Sequence, residues 1–392
     1  MPPRLRFLSV DVFKIGSIET LTYIKNEHIF GELKGNQGAG YFVSKIRVGI
    51  IGAGSWTVAS HLPNLAAHKD VEFVGVARKG VELLTKIKDK YDFQVASEDY
   101  KDVLAAGVDV VVVGSPTGFH HEHAKAALEA GAHVMCEKPV TIEPKHAWDL
   151  VETANRVGKH LIISFGWNYQ EVMTGAKKLM DEEGIGELEH MTLHMSSMTR
   201  ELLSNTGAYP EAAPEALPEQ QTWTNSKLSG GGYAQAQLSH ALGAALWLTG
   251  ARAKEGFALM SAPMNAPVEL HDAISMRYDN GAIGVISGGS SHAAAHKKVH
   301  AVEVRAIGSE GQILVDLERA AVWHHKNGKE TRLNLADDAG FYNCIGPIDS
   351  LMSAGRGEAF VNQSPGELGA RTVEALDIAY RSAASGKLEH RI

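Results

Sequence analysis

Apolar and polar positions along the chain follow two rhythms, and the change between them near residue 166 divides it. From Lys45 onward, short apolar runs at Ile46 to Ile51, Val71 to Ala77, Val108 to Val113 and Ala132 to Cys136 alternate with longer stretches of helical period. β-Branched runs without alternation suit strands buried on both faces. Such strands separated by helices predict a doubly wound parallel sheet, an α/β Rossmann domain over residues 45–165 with ligand beyond the C-terminal strand ends. Helices are expected over Ser55 to His68, Val81 to Tyr91, His120 to Ala130 and Pro144 to Val157, with a further start near Ser97 as its cap. His160 to Tyr169 reads as the strand that leaves this domain.

Beyond it the period drops to two. Met191, Leu193 and Met195 alternate with Thr192, His194 and Ser196, and similar stretches recur at 273–278, 282–287, 299–307, 312–315 and 321–325. Alternation of this kind gives strands with one face buried and one open. Asp279-Asn280-Gly281 and Lys326-Asn327-Gly328 are hairpin signals. Residues 166–392 are therefore expected to form a second, α+β domain with a large, mostly antiparallel open sheet, whose free face predicts self-association as a homo-oligomer. Pro210, Pro214 and Pro218 mark an irregular loop over 208–221, and an apolar helix runs through Gln235, His240 and Leu246. Residues 1–44 fit no element of either domain and are expected to be a poorly ordered extension or the product of an upstream start codon.

Composition narrows the function classes. A chain of 392 residues, 44% apolar and 21% charged, can bury two cores. Its net charge of -8 leaves no basic field for nucleic acid, and no apolar run approaches a membrane span. Two cysteines, Cys136 and Cys344, are too few for a disulfide framework and suit a reducing cytoplasm; the first residues, with Arg4, Arg6, Asp11 and Lys14, do not make a secretory signal.

Candidate chemistry gathers at the predicted strand ends. Gly52-Ala53-Gly54, followed by Ser55 and Trp56 at the head of a helix, can cradle a pyrophosphate on backbone N–H groups, although the third glycine of the usual fingerprint falls on Thr57. The second strand ends on Arg78-Lys79, where an acidic residue would receive the ribose hydroxyls of NAD and an arginine suits the extra phosphate of NADP, so NADP is favoured. Ser115-Pro116-Thr117 and Glu137-Lys138-Pro139 lie at the ends of two further strands. A lysine there can hold a substrate hydroxyl and lower its pKa. His120-His121-Glu122-His123 lacks the spacing of a zinc helix motif and is assigned no metal, while His120 is placed against cofactor or substrate and His324-His325 at a solvated strand end. Gln237 and His240 share a helix face, and His240 has the natural pKa for moving a proton.

With these residues assembled, the chain resembles the glucose-fructose oxidoreductase, inositol dehydrogenase and rhizopine-catabolism family, Gfo/Idh/MocA. The matches are Gly52-Ala53-Gly54, Ser115-Pro116-Thr117 with His120, Glu137-Lys138-Pro139 after Ala130-Gly131-Ala132-His133-Val134, and Gly230-Gly231-Gly232 with Ser239-His240, in the family's order. The resemblance implies hydride transfer between NAD(P) and a hydroxyl-bearing carbon of a sugar or polyol, with Lys138 and His240 as the catalytic pair and Glu137 and His120 beside the nicotinamide. The family's aspartate four residues before the histidine is Ala236 here, so His240 is expected to act with other support, such as Gln237 or Tyr233. On this reading His240 accepts the hydroxyl proton, Lys138 holds the oxygen, and Asn168, Tyr169, Trp223 and Asn225 line the sugar pocket. The rivals are a nucleotide-sensing regulator without chemistry and a glycosidase that oxidises its substrate transiently with bound NAD.

Overall fold

The computed structural model describes residues 45–210, 212, 214–293 and 300–392, so the expectation for 1–44 lies outside the described residues. The first apolar runs become strands β1 (Ile46–Ile51), β2 (Val71–Ala77), β3 (Val95–Ser97), β4 (Val110–Val113), β5 (His133–Cys136) and β6 (Leu161–Ile163). All pair in parallel in the order β3-β2-β1-β4-β5-β6, the doubly wound arrangement. All four valines of β4 are fully buried because helices cover both faces, which is why the run shows no polar alternation. The chain order reverses beside β1, so the ends of β1 and β4 flank the crevice where a doubly wound sheet takes its ligand.

Three local expectations need correction. Asp99, whose side chain accepts from Lys101 N at 3.0 Å, caps the helix after β3, whereas Ser97 ends the strand and donates to Asp102. The strand after the helix Pro144–Val157 stops at Ile163, and Gly166–Tyr169 is a short 3-10 turn. The helix expected after the glycine turn is present, with a π-turn over Thr57–His61 inside it. His324 is buried, with Nε2 2.7 Å from Gly184 O, so it packs under the sheet and is no solvated strand end.

The period-two stretches form β7 (Leu188–Ser197), β9 (His271–Tyr278), β10 (Ile283–Ser290), β11 (His300–Gly308), β12 (Gly311–Asp316) and β13 (Ala321–Lys326). With β8 (Ala253–Ser261), β14 (Lys329–Arg332) and β15 (Glu389–His390), which the pattern did not announce, they make a nine-stranded sheet. Pairing is antiparallel throughout except between β7 and β10. Asn327 and Gly328, at φ 52 and 74, turn β13 into β14 as the hairpin signal requires. One sheet face packs on the helices Ser239–Thr249 and Gly366–Ser385, whereas Phe257, Leu259, Ile283, Val285 and Ile307 stand exposed on the other.

The described residues fall in one compact unit, and the C-terminal third explains why. Helix Ile345–Arg356 buries Ile348, Leu351 and Met352 in one cluster with Ile46, Val48, Val110 and Val112 of the parallel sheet. Its last residue, Arg356, forks onto Asp70 (2.6 and 2.9 Å). Buried Glu374 takes Arg252 at two contacts (2.8 and 2.6 Å) and Trp148 Nε1 at 2.8 Å, joining three elements distant in sequence. These contacts fasten the C-terminal helices to the N-terminal edge and flank of the parallel sheet and, through Arg252, to the start of β8.

Candidate active site

The glycine turn is shaped by close approach. Gly52 sits at φ +93, and a Cβ there would lie 2.1 Å from Ser115 N, so only glycine lets β1 end against β4. A Cβ on Gly54 would meet nothing nearer than Gly114 O at 3.9 Å, which leaves room for a ligand over the turn. Thr57, in the place of the third glycine, is buried and donates its hydroxyl to Gly52 O at 3.0 Å. Its bulk is accommodated because the facing residue is Gly114, where a Cβ would stand 2.3 Å from Thr57 Oγ1. Gly52→Ala is therefore expected to abolish dinucleotide binding and to destabilise the fold by at least about 1–3 kcal/mol from the backbone conformation alone. Thermal unfolding together with fluorescence titrations of NADH and NADPH checks this; wild-type values throughout would refute it.

A cleft of about 830 Å³ runs from this turn to the second sheet, at the upper end of the range for small-molecule sites. Gly52, Gly54, Ser55, Trp56, Arg78, Lys79, Ser115, Pro116, Thr117, His120 and Glu137 border it on the Rossmann side together with Lys138. Trp223, Gln237 and His240 border it from the second domain. Four other sequence-predicted positions do not reach it. Asn168 gives Nδ2 to Gln363 O (2.9 Å), and Tyr169 OH pairs with Ser364 Oγ (3.0 Å), so both fasten the 3-10 turn to the segment before the last long helix. Tyr233 is fully buried with its hydroxyl on Met195 O (3.2 Å), and Asn225 caps the short helix Ser226–Ser229 by accepting from Lys227 N (3.1 Å).

The end of β5 is braced from both sides. His120, buried, lies between the two strand-end loops, with Nε2 2.6 Å from Ser115 O and Nδ1 2.9 Å from Pro139 O. Burial lowers its pKa against the pull of the two carbonyls. Glu137 meets His61 Nε2 at 2.6 Å and accepts from Lys138 N at 3.1 Å. Burial by itself would raise its pKa, but the His61 hydrogen bond and the neighbouring charges of His61 and Lys138 outweigh that, and the carboxyl is held below its ordinary value. Lys138 extends beyond them and donates from Nζ to Ala236 O at 2.6 Å. Burial lowers its pKa to about 8, against the charges of Glu137 and Cys344.

Ala236 lies in a π-turn, Ala234–Leu238, at the head of the helix that carries His240. A π-turn bonds i to i+5 and so inserts one residue into the helical register. Gln235, five residues before His240, accordingly stands one wide turn before it. Gln235 and Gln237 each bury an Oε1 that has no protein partner, as does His240 at Nδ1. Burial, and then the charges of Lys138 and His300, drive the His240 pKa well below its ordinary value, so the imidazole is neutral. The head of the helix is fixed by Glu269, which accepts from Gly232 N (2.8 Å) and Ala234 N (3.2 Å) and takes the hydroxyl of Tyr380 at 2.5 Å.

Tyr342, Tyr209, Ala212 and residues 216–219 also line the cleft, with no chemical motif in the sequence that marks them. The Tyr342 ring packs 4.7 Å from His240, 5.1 Å from Trp167 and 5.9 Å from Trp56, and its hydroxyl donates to Ser164 O at 3.1 Å. It lines the cleft beside His240 and Trp56 with an aromatic edge. The residues present fit a dinucleotide: an open glycine turn, cations at the β2 end, and polar groups without protein partners at the far end of the cleft.

Comparison with known proteins agrees with this architecture. Residues 46–165 match the oxidoreductase family with NAD-binding Rossmann fold, and residues 173–314 match the GFO/IDH/MocA C-terminal domain. D-glucoside 3-dehydrogenase of Escherichia coli (strain K12) is 32% identical over 208 residues, 53% of this chain and 55% of that protein. Glucose-6-phosphate 3-dehydrogenase of Bacillus subtilis (strain 168) is 30% identical over 151 residues, 38% of this chain and 41% of that one. The matches thus span about half or less of these curated relatives. Among solved structures, an oxidoreductase domain protein from Kribbella flavida superposes with a TM-score of 0.73 at 17% identity, over 89% of this chain and all of that one. A levoglucosan dehydrogenase in complex with NADH and levoglucosan does so with a TM-score of 0.72 at 18% identity and the same coverage. The two family models together cover most of the described residues, and the chain belongs to the Gfo/Idh/MocA family of NAD-binding oxidoreductases.

Proposed function

We propose that the protein is a dehydrogenase that exchanges hydride between a nicotinamide dinucleotide and a hydroxyl-bearing carbon of a sugar, sugar derivative or polyol. The observation that carries this reading is the convergence of Lys138 Nζ, neutral His240 and the two unpaired glutamine oxygens on the cleft that begins at the glycine turn. When bound, the dinucleotide supplies the acceptor or donor of hydride at its nicotinamide. The chain's own residues do the rest. Gln235 and Gln237 offer carbonyl oxygens to the hydroxyls of a polyol, and Trp223, Trp56 and Tyr342 offer apolar faces to its ring. Gln235 joins the substrate residues in place of Asn168, Tyr169, Asn225 and Tyr233, whose side chains are engaged elsewhere.

The electrostatics favour a division of labour other than the one read from the sequence. A general base works best with a pKa near the operating pH, which describes Lys138 and not the strongly depressed His240. In oxidation the Lys138 amine takes the hydroxyl proton, while His240, neutral, orients the same oxygen by a hydrogen bond. In reduction the Lys138 ammonium returns the proton. NADP is the favoured dinucleotide, supported by Arg78 and Lys79 at the end of β2.

Two further readings accompany it. The exposed apolar side chains of β8, β10 and β11 support a homo-oligomer formed through the open sheet face. Two free, buried cysteines support a reducing cytoplasmic location. Among the described residues no helix is long and apolar enough to cross a membrane. A panel of sugars and polyols assayed for reduction of NADP and NAD tests the activity. Reduction with at least one of them is expected; product formation without net reduced dinucleotide would instead support the glycosidase chemistry, and neither outcome would leave the regulator.

A further inference from the structure

The adenosine end of the cleft carries more negative than positive groups. Arg78 and Lys79 border it, but so do Glu98, Asp99 and Glu219. Asp99 is committed to its own helix, accepting from Lys101 N. Of the other two carboxylates, Glu98 occupies an amide that would receive a phosphate, and the solvent-exposed Glu219 stands at ion-pair range of the guanidinium. Glu98 Oε1 accepts from Gly80 N at 2.7 Å, the amide at the head of the helix Val81–Tyr91. Glu219, reaching over from the second domain, places Oε1 3.9 Å from Arg78 Nη2. These groups are neighbours, since the Arg78 guanidinium lies 3.8 Å from where a Gly80 Cβ would stand. The guanidinium is otherwise held in place, with Nη1 on Ala53 O (3.3 Å) and Nε on Lys79 O (2.8 Å), and its side chain is only 15% exposed.

A guanidinium beside a free helix-terminal amide forms a cradle for a 2′-phosphate. Here the amide already holds a carboxylate oxygen of Glu98, and a second carboxylate, Glu219, adds negative charge 3.9 Å from the guanidinium. A phosphate entering the cradle must displace Glu98 from Gly80 N and stand beside Glu219, with like charges opposed. A ribose carrying a free 2′-hydroxyl has no such conflict, because a hydroxyl donates to a carboxylate. We infer that Glu98 and Glu219 are specificity-determining residues that offset Arg78 and Lys79 and keep the cleft open to NAD as well as NADP, one of the two being contributed by the substrate-binding half of the chain. The inference rests on the reading of the cleft as a dinucleotide site and extends it to the choice between the two dinucleotides.

The test needs no sugar. NADH and NADPH are titrated separately into the wild-type protein and into the Glu98→Gln/Glu219→Gln variant, following nicotinamide fluorescence, with Glu219→Gln alone as a second variant. Wild type is expected to bind both. In the double variant the ratio of affinities, NADPH over NADH, is expected to rise by about tenfold or more, with a smaller rise in the single variant. A rise under threefold in the double variant, or parallel weakening of both dinucleotides, overturns the inference while leaving the dinucleotide site intact. Binding of neither dinucleotide to wild type overturns the site assignment and the inference together.

Discussion

Lys138→Met is expected to lower turnover about 10²- to 10⁴-fold while the protein still binds a nicotinamide dinucleotide. Lys138 is half-buried and its Nζ donates to Ala236 O; among the described residues it forms no ion pair, so its removal takes away the group that moves the proton but no salt bridge of the fold. Methionine keeps the length and apolar character of the stem, so the packing around the end of β5 stays filled. Glu137 keeps its contact with His61, and the glycine turn is untouched. The measurement is steady-state turnover with a sugar that wild type oxidises, alongside titrations of NADH and NADPH and an unfolding curve. Turnover within tenfold of wild type, with folding and binding intact, would remove Lys138 from the chemistry.

The second large effect is in the pH profile. If the Lys138 amine accepts the proton, sugar oxidation requires the neutral form, and kcat/KM rises as pH passes upward through about 8. Reduction requires the ammonium, so it falls over the same range. His240 is not expected to supply that limb, because burial, and then the charges of Lys138 and His300, hold its pKa well below the ordinary value. Ala236→Asp tests the origin of this pattern. Residue 236 borders the cleft and its carbonyl already receives Nζ, so a carboxylate there stands beside the ammonium. An opposite charge at that range favours the charged form, and the limb is expected to move upward by at least about one pH unit. A profile in which His240→Gln erases the limb, or in which Ala236→Asp leaves it in place, would return the proton to His240.

Much of this arrangement is legible in the order of residues. The uninterrupted valines of β4 require a strand covered on both faces, and the alternation of Met191, Leu193 and Met195 requires one covered on a single face, so the two sheets follow from local pattern. Gly52, Arg78 and Lys138 are readable for the same reason: each is chemically conspicuous and sits immediately after a strand, and in a doubly wound sheet the strand ends face the ligand. The edge strands are harder to see. Residues 329–332 of β14, Lys-Glu-Thr-Arg, have no apolar face, and they become a strand only because β13 offers backbone groups to pair with.

What the tertiary structure alone decides is which polar side chains reach the cleft. Asn168, Tyr169, Asn225 and Tyr233 have the chemistry of sugar ligands, yet each meets a closer partner from a remote or neighbouring segment; Tyr342, from a stretch with no motif, supplies the wall. The π-turn likewise moves Gln235 into register with His240, a shift of one residue that no spacing rule reveals. Sequence fixes residue type and local period, whereas the partner a buried polar atom finds, and the pKa that burial imposes on Lys138 and His240, depend on atoms from segments a hundred residues away.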